Sequence, residues 1–376
     1  MADGRTHIKT LLWSLPRRPS LVASTTTPLG VVVFLYMNIQ ENVSLAQYTT
    51  LKIGGMARYF LVARTTRELI DGIAYAKQND LPVFVLGGGS NILLDDEGFE
   101  GLVVKIEIKS VESIDRGDTV EVTAGAGLDW DTFVADMVSD ELYGLENLSL
   151  IPGTIGASVV QNIGAYGVEI SSAVLWVEIL NTETNNIETL KNVQCEFNYR
   201  NSIFKSNKHY IVTRVAYELK KKANLQTDYK DVAEYFLSKG IEDPTLAQVR
   251  NAIVSIRTAK LPDLDTIGTA GSFFKNPVIS TESYKALLEQ YPAMPSYSID
   301  SDTVKVPLGW IIEHVCGMKG LTDGSVGTHD KQSLVIVSKK NATAEEVKSF
   351  AKKIINCVKE KTGIEIEREV EYINKK

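Results

Sequence analysis

Residues 82–91 have the sequence Pro-Val-Phe-Val-Leu-Gly-Gly-Gly-Ser-Asn, in which a short apolar run leads directly into three consecutive glycines. The apolar run predicts a buried strand, and the glycines predict a loop without regular structure. Consecutive glycines let a backbone approach a ligand closely, and their amide groups can form a concave site for phosphate oxygens. The sequence is neither GxxxxGK[ST] nor GxGxxG, which disfavours a P-loop ATPase and a Rossmann dehydrogenase. Taken alone, the loop is equally consistent with a tight turn.

A second glycine-rich region lies further along the chain. Residues 151–157 are Ile-Pro-Gly-Thr-Ile-Gly-Ala, and residues 161–167 are Gln-Asn-Ile-Gly-Ala-Tyr-Gly. Two loops of this kind can hold one long dinucleotide through their backbone amides. We therefore expect a dinucleotide site that includes both regions.

Composition and charge restrict the class of protein. The 376 residues include 40 Lys and Arg against 47 Asp and Glu, with a net charge of −7, which is typical of a globular protein of two or three domains. This balance lacks the basic character of a nucleic-acid-binding protein. Cys195, Cys316 and Cys357 are far apart in the sequence, which favours a reducing compartment. The four histidines have no metal-ligand spacing, so we expect no metal.

Helices and strands are predicted to be intermixed along the chain. Threonines followed three residues later by Glu or Gln, the capping-box pattern, occur at Thr65, Thr245 and Thr343. Each precedes apolar residues at helical spacing, and the first predicts a helix over residues 65–78. Short apolar runs over residues 102–122 predict strands. The expected class is α+β or mixed α/β.

Residues 1–36 differ from the rest, with a basic proline-containing segment and an apolar run at residues 30–36. That run is too short and too far from the N-terminus for a typical signal peptide, and too short to span a bilayer. We expect residues 1–36 to be a non-native extension or the product of an upstream start, with the native protein beginning at Met37. No membrane insertion is expected.

Several polar residues are candidates for chemistry. Arg200, in Tyr-Arg-Asn-Ser, has a planar fork that suits a carboxylate. Ser272 lies between a glycine and two phenylalanines, which predicts a dry setting for its hydroxyl. Glu367, Glu369 and Glu371 alternate with the strand period and are predicted to share one face. If one of them lies inside a cleft, its pKa should be raised.

Eight motifs, in order, carry a resemblance to a known family. The chain from Met37 onward resembles the bacterial UDP-N-acetylenolpyruvoylglucosamine reductases, FAD enzymes of peptidoglycan precursor synthesis, in the subtype with a substrate-covering tyrosine loop. The motifs are TTLKIG (residues 49–54), GGGSN (87–91), LIPGTIG (150–156), QNIGAYG (161–167), YRNSIFK (199–205), RTAKLP (257–262), GSFFKNP (271–277) and EREV (367–370).

The resemblance implies an α+β fold with a two-part FAD-binding domain of the vanillyl-alcohol-oxidase type. Its parts are expected at residues 37–105 and 106–261. An α+β substrate domain is expected at residues 262–362, followed by a C-terminal strand, residues 363–376, that returns to the active site. The family also implies a cytoplasmic protein, and we expect a monomer.

The resemblance also implies the reaction and its residues. NADPH passes a hydride to non-covalently bound FAD, which then reduces UDP-N-acetylglucosamine enolpyruvate to UDP-N-acetylmuramate. Arg200 and Glu369 are expected to hold and polarise the substrate carboxylate, with Glu369 protonated, and Ser272 to donate a proton to carbon. The expected FAD-binding residues are Gly87, Gly88, Gly89, Ser90, Asn91, Ile151, Pro152, Gly153, Thr154, Gly156, Asn162, Gly164 and Ile211. The expected substrate-binding residues are Tyr166, Tyr229, Arg257, Lys260, Lys275 and Asn276.

Two alternatives remain at the level of sequence. One is another FAD oxidoreductase of the same fold, such as an alcohol oxidase. The other is a non-catalytic protein that binds a nucleotide sugar.

Overall fold

The computed structural model describes residues 38–375. The predictions for residues 1–36 and for a start at Met37 lie outside the described residues. Within residues 38–375, no helix is long and apolar enough to cross a membrane. The same residues contain no group of three or more His, Cys, Asp and Glu side chains arranged to hold a metal ion.

The first part of the chain forms a four-stranded sheet with strand order β1-β2-β5-β3, in which β5 is parallel to both β2 and β3. Helix α1 begins after Thr65, whose hydroxyl accepts from the Glu68 amide at 3.1 Å, so the predicted helix is confirmed. The Glu68 carboxylate accepts from the Arg64 amide instead of the Thr65 amide. The elements are β1 (Ile39–Ser44), β2 (Met56–Ala63), α1 (Thr66–Gln78), β3 (Val83–Leu86), β4 (Ile92–Leu94) and β5 (Phe99–Ile106).

The prediction of a buried strand at residues 82–86 is correct for the strand and wrong for its burial. Val83 is 37% exposed, and only Leu86 is buried. Strand β3 is at the edge of its sheet and pairs only with β5 among the described strands. Its free side lines a cavity, described below, that opens to solvent.

The middle of the chain forms an antiparallel five-stranded sheet with strand order β11-β10-β12-β7-β6. Trp130, Phe133 and Tyr217 pack together in its core. The elements are β6 (Val111–Asp115), β7 (Thr119–Gly125), α2 (Trp130–Ser139), α3 (Ile155–Val160), β8 (Gly164–Ala165), β9 (Val168–Glu169), β10 (Val174–Asn181), β11 (Asn186–Lys191), α4 (Ile203–Ser206), β12 (Tyr210–Lys220), α5 (Lys230–Lys239) and α6 (Leu246–Lys260). The predicted strands over residues 102–122 and the capping box at Thr245 are confirmed.

The remaining chain forms two further sheets, with strand orders β13-β19-β18-β17 and β14-β16-β15. Helix α9 begins with the predicted capping box at Thr343 and ends at Gly363, which has a φ of 72°. Phe273, Phe274 and Phe350 are buried in the core beneath it. The elements are β13 (Gly268–Ser272), β14 (Val278–Ser280), α7 (Thr281–Gln290), β15 (Tyr297–Ser298), β16 (Thr303–Lys305), α8 (Leu308–Trp310), β17 (Thr322–Asp323), β18 (Val326–Thr328), β19 (Val335–Ser338), α9 (Ala344–Thr362) and β20 (Glu371–Ile373).

The C-terminal segment connects the last part of the chain with the first. Strand β20 is parallel to β4, with Glu371 opposite Ile92. Just before it, the Glu369 amide donates to the Phe273 carbonyl at 2.9 Å. Only Glu371–Ile373 is regular strand, so the prediction of one continuous strand face over residues 366–373 is wrong. The observed segment nevertheless carries Glu369 beside the residues that follow β13. The expected domain boundaries stay predictions.

Candidate active site

A cavity of about 620 Å³ lies where the glycine-rich loops face the C-terminal segment. Its volume is within the roughly 300–1,000 Å³ typical of small-molecule and cofactor sites. Arg200, Ser272 and Glu369 line it together with most of the expected FAD-binding residues. The latter are Gly87, Gly88, Gly89, Ser90, Asn91, Ile151, Pro152, Gly153, Thr154, Gly156, Gly164 and Ile211.

The two glycine-rich loops are in direct contact. A Cβ atom placed on Gly88 would lie 2.7 Å from Gly153 Cα, so no side chain fits there without a shift in the backbone. The Ser90 hydroxyl donates to the Pro152 carbonyl at 2.8 Å and ties the loops together. The expectation that both loops contribute to one site therefore agrees with their contact. The bare backbone they present fits the requirement of a dinucleotide diphosphate for closely approaching amides.

Lys105 supports the first loop and was not recognised in the sequence. It lies in β5, opposite Leu86 of β3, and its ammonium group donates to the Gly87 carbonyl at 3.0 Å. Burial lowers the pKa of this lysine. The available signal was a single cation within the apolar residues of β5, where a side chain of that kind needs a polar partner.

An ion pair between Asp131 and Arg250 supports the second glycine-rich loop. Asp131 accepts from the Arg250 guanidinium at 2.7 Å and from the Leu150 amide. Leu150 has a φ of 57°, a left-handed conformation that is costly for residues other than glycine. Arg257 Nε donates to the Leu150 carbonyl at 3.2 Å. These bonds hold the strained turn that directs residues 151–153 toward the cavity.

Asn162 is buried behind the cavity and does not line it. Its Nδ2 donates to Glu169 Oε2 at 3.0 Å and to the Asn198 carbonyl at 2.9 Å, and its Oδ1 accepts from the Ser171 amide at 3.2 Å. The carboxamide thus joins the loop of residues 161–167 to the segment that carries Arg200. Its contact with FAD stays a prediction.

Arg200 and Glu369 form the polar centre of the cavity. Arg200 Nε donates to Glu369 Oε1 at 3.0 Å, and Arg200 Nη2 donates to the Gly164 carbonyl at 2.7 Å. The Glu369 side chain is 16% exposed. Burial raises the pKa of Glu369, although Arg200 and Lys205 act in the opposite direction. Arg200 has a φ of 51°, and such strain is often found at functional sites.

The three C-terminal glutamates do not share one environment. Glu367 is exposed and pairs with Lys275 at 3.0 Å, whereas Glu371 pairs with Lys208 at 2.8 Å. Glu369 and Glu371 line the cavity and Glu367 does not, so the prediction of one common face is wrong for Glu367. Glu369 is the least exposed of the three. The expectation that a glutamate inside a cleft has a raised pKa is confirmed for Glu369.

Ser272 lies at the end of β13, opposite Val335, and its side chain is exposed to the cavity. Phe273 and Phe274 point into the core and do not enclose it. The predicted dry setting for the hydroxyl is therefore wrong in this structure, because the two aromatic neighbours pack elsewhere. Ser272 Oγ makes no hydrogen bond to any of residues 38–375, which leaves it free to meet a ligand.

Of the expected substrate-binding residues, all of which lie within residues 38–375, Arg257 is the one that lines the cavity. Tyr166 and Tyr229 lie outside the cavity lining. Tyr166 and Tyr229 are in edge contact, with ring centroids 5.4 Å apart. Burial raises the pKa of both phenols, and Arg257, which lines the cavity, lies beside Tyr166. Lys260, which does not line the cavity, pairs with Asp231 at 2.7 Å.

Lys275 and Asn276 follow β13. Lys275 pairs with Glu367, and Asn276 Oδ1 accepts from the Leu308 amide at 3.0 Å. Neither side chain lines the cavity. Their roles, like those of Tyr166, Tyr229 and Lys260, stay predictions.

Lys205 is a further residue whose position the sequence did not reveal. Its ammonium group donates to the Arg200 carbonyl and to Gln161 Oε1, both at 3.4 Å. Burial lowers the pKa of Lys205, and the lysine favours the ionised form of Glu369. The one feature of the sequence that could have indicated Lys205 is its position at the end of the YRNSIFK motif.

Two family models match separate parts of the chain. A family model described as FAD binding domain matches residues 57–190, and one described as UDP-N-acetylenolpyruvoylglucosamine reductase, C-terminal domain, matches residues 262–373. A UDP-N-acetylenolpyruvoylglucosamine reductase from Chromobacterium violaceum is 42% identical over 89% of this chain and 98% of its own length. One from Flavobacterium johnsoniae is 40% identical over 90% of this chain and 100% of its own length.

A solved structure gives the fold. The UDP-N-acetylenolpyruvylglucosamine reductase from Thermus caldophilus has a TM-score of 0.64 and 24% identity, covering 90% of this chain and 99% of that one. With the family models, this confirms the predicted class, an α+β protein with a FAD-binding domain followed by a C-terminal domain.

Proposed function

The chain belongs to the UDP-N-acetylenolpyruvoylglucosamine reductase family, and on that premise we propose how its residues perform the reaction. It is an FAD-dependent oxidoreductase that uses NADPH to reduce UDP-N-acetylglucosamine enolpyruvate to UDP-N-acetylmuramate, a step in peptidoglycan precursor synthesis. When bound, FAD supplies the hydride chemistry that links the two substrates. One observation carries the residue assignment: Arg200, Glu369 and Ser272 line the same cavity as both glycine-rich loops.

The loops hold FAD without a covalent link. Residues 87–91 and 151–156 present backbone amides to the diphosphate, and Gly164 and Ile211 lie further along the cavity wall. Asn162 contributes by fixing the loop of residues 161–167. Among residues 38–375, no histidine or cysteine side chain lines the cavity.

Arg200 and Glu369 receive the substrate carboxylate. Arg200 places positive charge beside it, and Glu369, in its protonated form, donates a hydrogen bond to an oxygen that gains charge during reduction. A carboxylate arriving at this site displaces the observed bond between Arg200 and Glu369. The raised pKa of Glu369 supports this role, since burial favours the neutral acid.

Ser272 completes the reduction. The hydride adds to one carbon of the enolpyruvyl double bond, the Ser272 hydroxyl proton adds to the other, and water reprotonates the exposed serine oxygen. The absence of a hydrogen-bond partner for Ser272 Oγ among residues 38–375 supports the assignment, because the hydroxyl is not committed to the protein. Geometry must bring the reacting carbon within hydrogen-bond distance, since a hydroxyl is a weak acid.

The remaining substrate contacts are part of the proposal. Arg257 lines the cavity, the contacting pair Tyr166 and Tyr229 lies beside it, and Lys260 offers a cation to the diphosphate of UDP or NADPH. Lys275 and Asn276 contribute from the segment that follows β13. The edge contact between Tyr166 and Tyr229, beside Arg257, supports a shared role in closing over the nucleotide.

The proposal includes a monomer located in the cytoplasm. Cys195, Cys316 and Cys357 are free cysteines, which supports a reducing compartment. Light scattering of the purified protein tests the monomer.

An anaerobic titration tests the function. NADPH should bleach the flavin absorption band, and UDP-N-acetylglucosamine enolpyruvate should then restore it. An alcohol oxidase of the same fold would bleach with an alcohol instead, and a nucleotide-sugar binding protein would respond to neither reductant. Failure of the sugar nucleotide to reoxidise the NADPH-reduced protein contradicts the proposal.

A further inference from the structure

Asn147 is a buried polar residue for which the mechanism above has no use. It lies in a short turn, Glu146–Leu148, and is 1% exposed. Its Nδ2 donates to the Tyr166 carbonyl at 3.0 Å and to the Gln226 carbonyl at 2.9 Å. Its Oδ1 has no partner among the described residues. A buried, unpaired acceptor is unfavourable, so the two donated bonds are the reason for an amide at this position.

The turn that carries Asn147 is firmly anchored on both sides. Glu146 Oε2 accepts from the Gly144 amide at 2.7 Å, and the Ser149 hydroxyl donates to the Glu146 carbonyl at 2.6 Å. Leu148 is fully buried, and its carbonyl accepts from Trp130 Nε1 at 2.8 Å. Asn147 therefore projects from a rigid part of the core, and its carboxamide can fix whatever it bonds to.

The segment at residues 222–228 depends on Asn147. It has no regular secondary structure and leads directly into Tyr229, the residue before helix α5. Among residues 38–375, the bond from Asn147 to the Gln226 carbonyl is the one hydrogen bond made by this segment. The packing of Leu225 against the core is its other anchor.

The other carbonyl that accepts from Asn147, that of Tyr166, is equally significant. Tyr166 has a φ of 49°, a strained conformation that must be held by its surroundings. Its ring contacts the Tyr229 ring, so the two carbonyls bound by Asn147 belong to the two chain segments that present this tyrosine pair. We propose that Asn147 is a positioning residue, which joins the Tyr166 turn to the 222–228 segment and so sets the Tyr166–Tyr229 pair for the nucleotide sugar.

The inference rests on the proposed function only for the identity of the substrate whose binding Asn147 affects. Asn147→Leu removes both donors and keeps a similar volume. Asn192→Leu is a matched control, because Asn192 Nδ2 also donates to two carbonyls, those of Ser171 and Val174, each at 2.8 Å and away from the cavity.

We expect Asn147→Leu to raise KM for the sugar nucleotide about tenfold, consistent with two lost hydrogen bonds of ordinary net strength. The FAD content and flavin spectrum should stay at wild-type values. The increase should be smaller in a Tyr229→Phe background, since the effect passes through the Tyr229 hydroxyl that this change removes. Asn192→Leu should leave KM unchanged. Asn147→Ala provides a second variant if the leucine protein does not fold.

Limited trypsin digestion tests the connection without any substrate. Lys222 and Lys230 are exposed at the two ends of the segment. Cleavage after them, located by mass spectrometry, should be faster in the Asn147 variants than in the wild-type protein or Asn192→Leu. Equal cleavage rates overturn the inference, as does an equal KM increase in Asn192→Leu. Failure of the wild-type protein to turn over the sugar nucleotide would instead contradict the proposed function, and the cleavage rates would still decide the role of Asn147.

Discussion

Replacement of Ser272 by alanine separates a role as proton donor from a role in packing. Ser272 is exposed to the cavity and its hydroxyl has no hydrogen-bond partner among residues 38–375. The change therefore leaves no unpaired group and no internal void, and the free energy of unfolding should change by no more than about 0.5 kcal/mol. Loss of a positioned proton donor typically slows a reaction roughly 10²- to 10⁴-fold, equivalent to about 2.7–5.5 kcal/mol of activation free energy.

The two half-reactions provide the assay. In anaerobic stopped-flow experiments, NADPH should bleach the flavin of Ser272→Ala at close to the wild-type rate, because this step needs no proton from Ser272. Reoxidation by the sugar nucleotide should slow by at least about 100-fold. Ser272→Cys should recover part of the loss, since a thiol has a reference pKa of about 8.5. Ser255→Ala, at an exposed serine of α6 outside the cavity, is the control.

Reoxidation of Ser272→Ala at the wild-type rate would refute the reasoning. An equal slowing of both half-reactions would refute it as well, because that result indicates displacement of the flavin and not loss of a proton.

Three further predictions concern the same cavity. Because the pKa of Glu369 is raised in the folded state, its protonated form contributes stability at low pH. This contribution is lost as the pH rises above the unfolded-state pKa of about 4.3. Urea unfolding should therefore show Glu369→Gln gaining stability relative to the wild-type protein as the pH increases. Gly88→Ala should weaken FAD retention, measured by fluorescence of released flavin, because its Cβ would meet Gly153 Cα at 2.7 Å. Gly117→Ala, outside the cavity, introduces backbone strain at a φ of 88° without a clash and should retain FAD. Tyr229→Phe should raise KM for the sugar nucleotide without changing the flavin spectrum, and unchanged KM would contradict its assignment to the nucleotide.

Local sequence determined much of the secondary structure. The capping boxes at Thr245 and Thr343 and the stop at Gly363 all fall where the structure has helix ends, because caps act over three or four neighbouring residues. The glycine-rich loops were recognised for a similar reason, since glycine is favoured where the local backbone takes a conformation or makes a close approach that a side chain would prevent. Eight ordered motifs were sufficient to identify the family, as the comparisons confirm.

Burial and pairing were decided only by the tertiary structure. The alternation of Glu367, Glu369 and Glu371 predicted one shared face, yet Glu367 lies outside the cavity that Glu369 and Glu371 line. Of the three, Glu369 pairs with Arg200, which reaches it from a segment distant in the sequence. The flanking phenylalanines suggested a dry hydroxyl at Ser272, but their rings pack into the core and leave the serine at the cavity.

The supporting residues show the same limit. Lys105 and Asn147 act through bonds to carbonyls of other segments, at Gly87, Tyr166 and Gln226. A carbonyl is common to every residue, so its bond to a distant side chain leaves no pattern in the sequence. The residue types thus determined the local conformations and the chemical groups available. Only the tertiary structure decided which groups are buried and which partners they meet, because burial and long-range hydrogen bonds depend on how distant segments pack together.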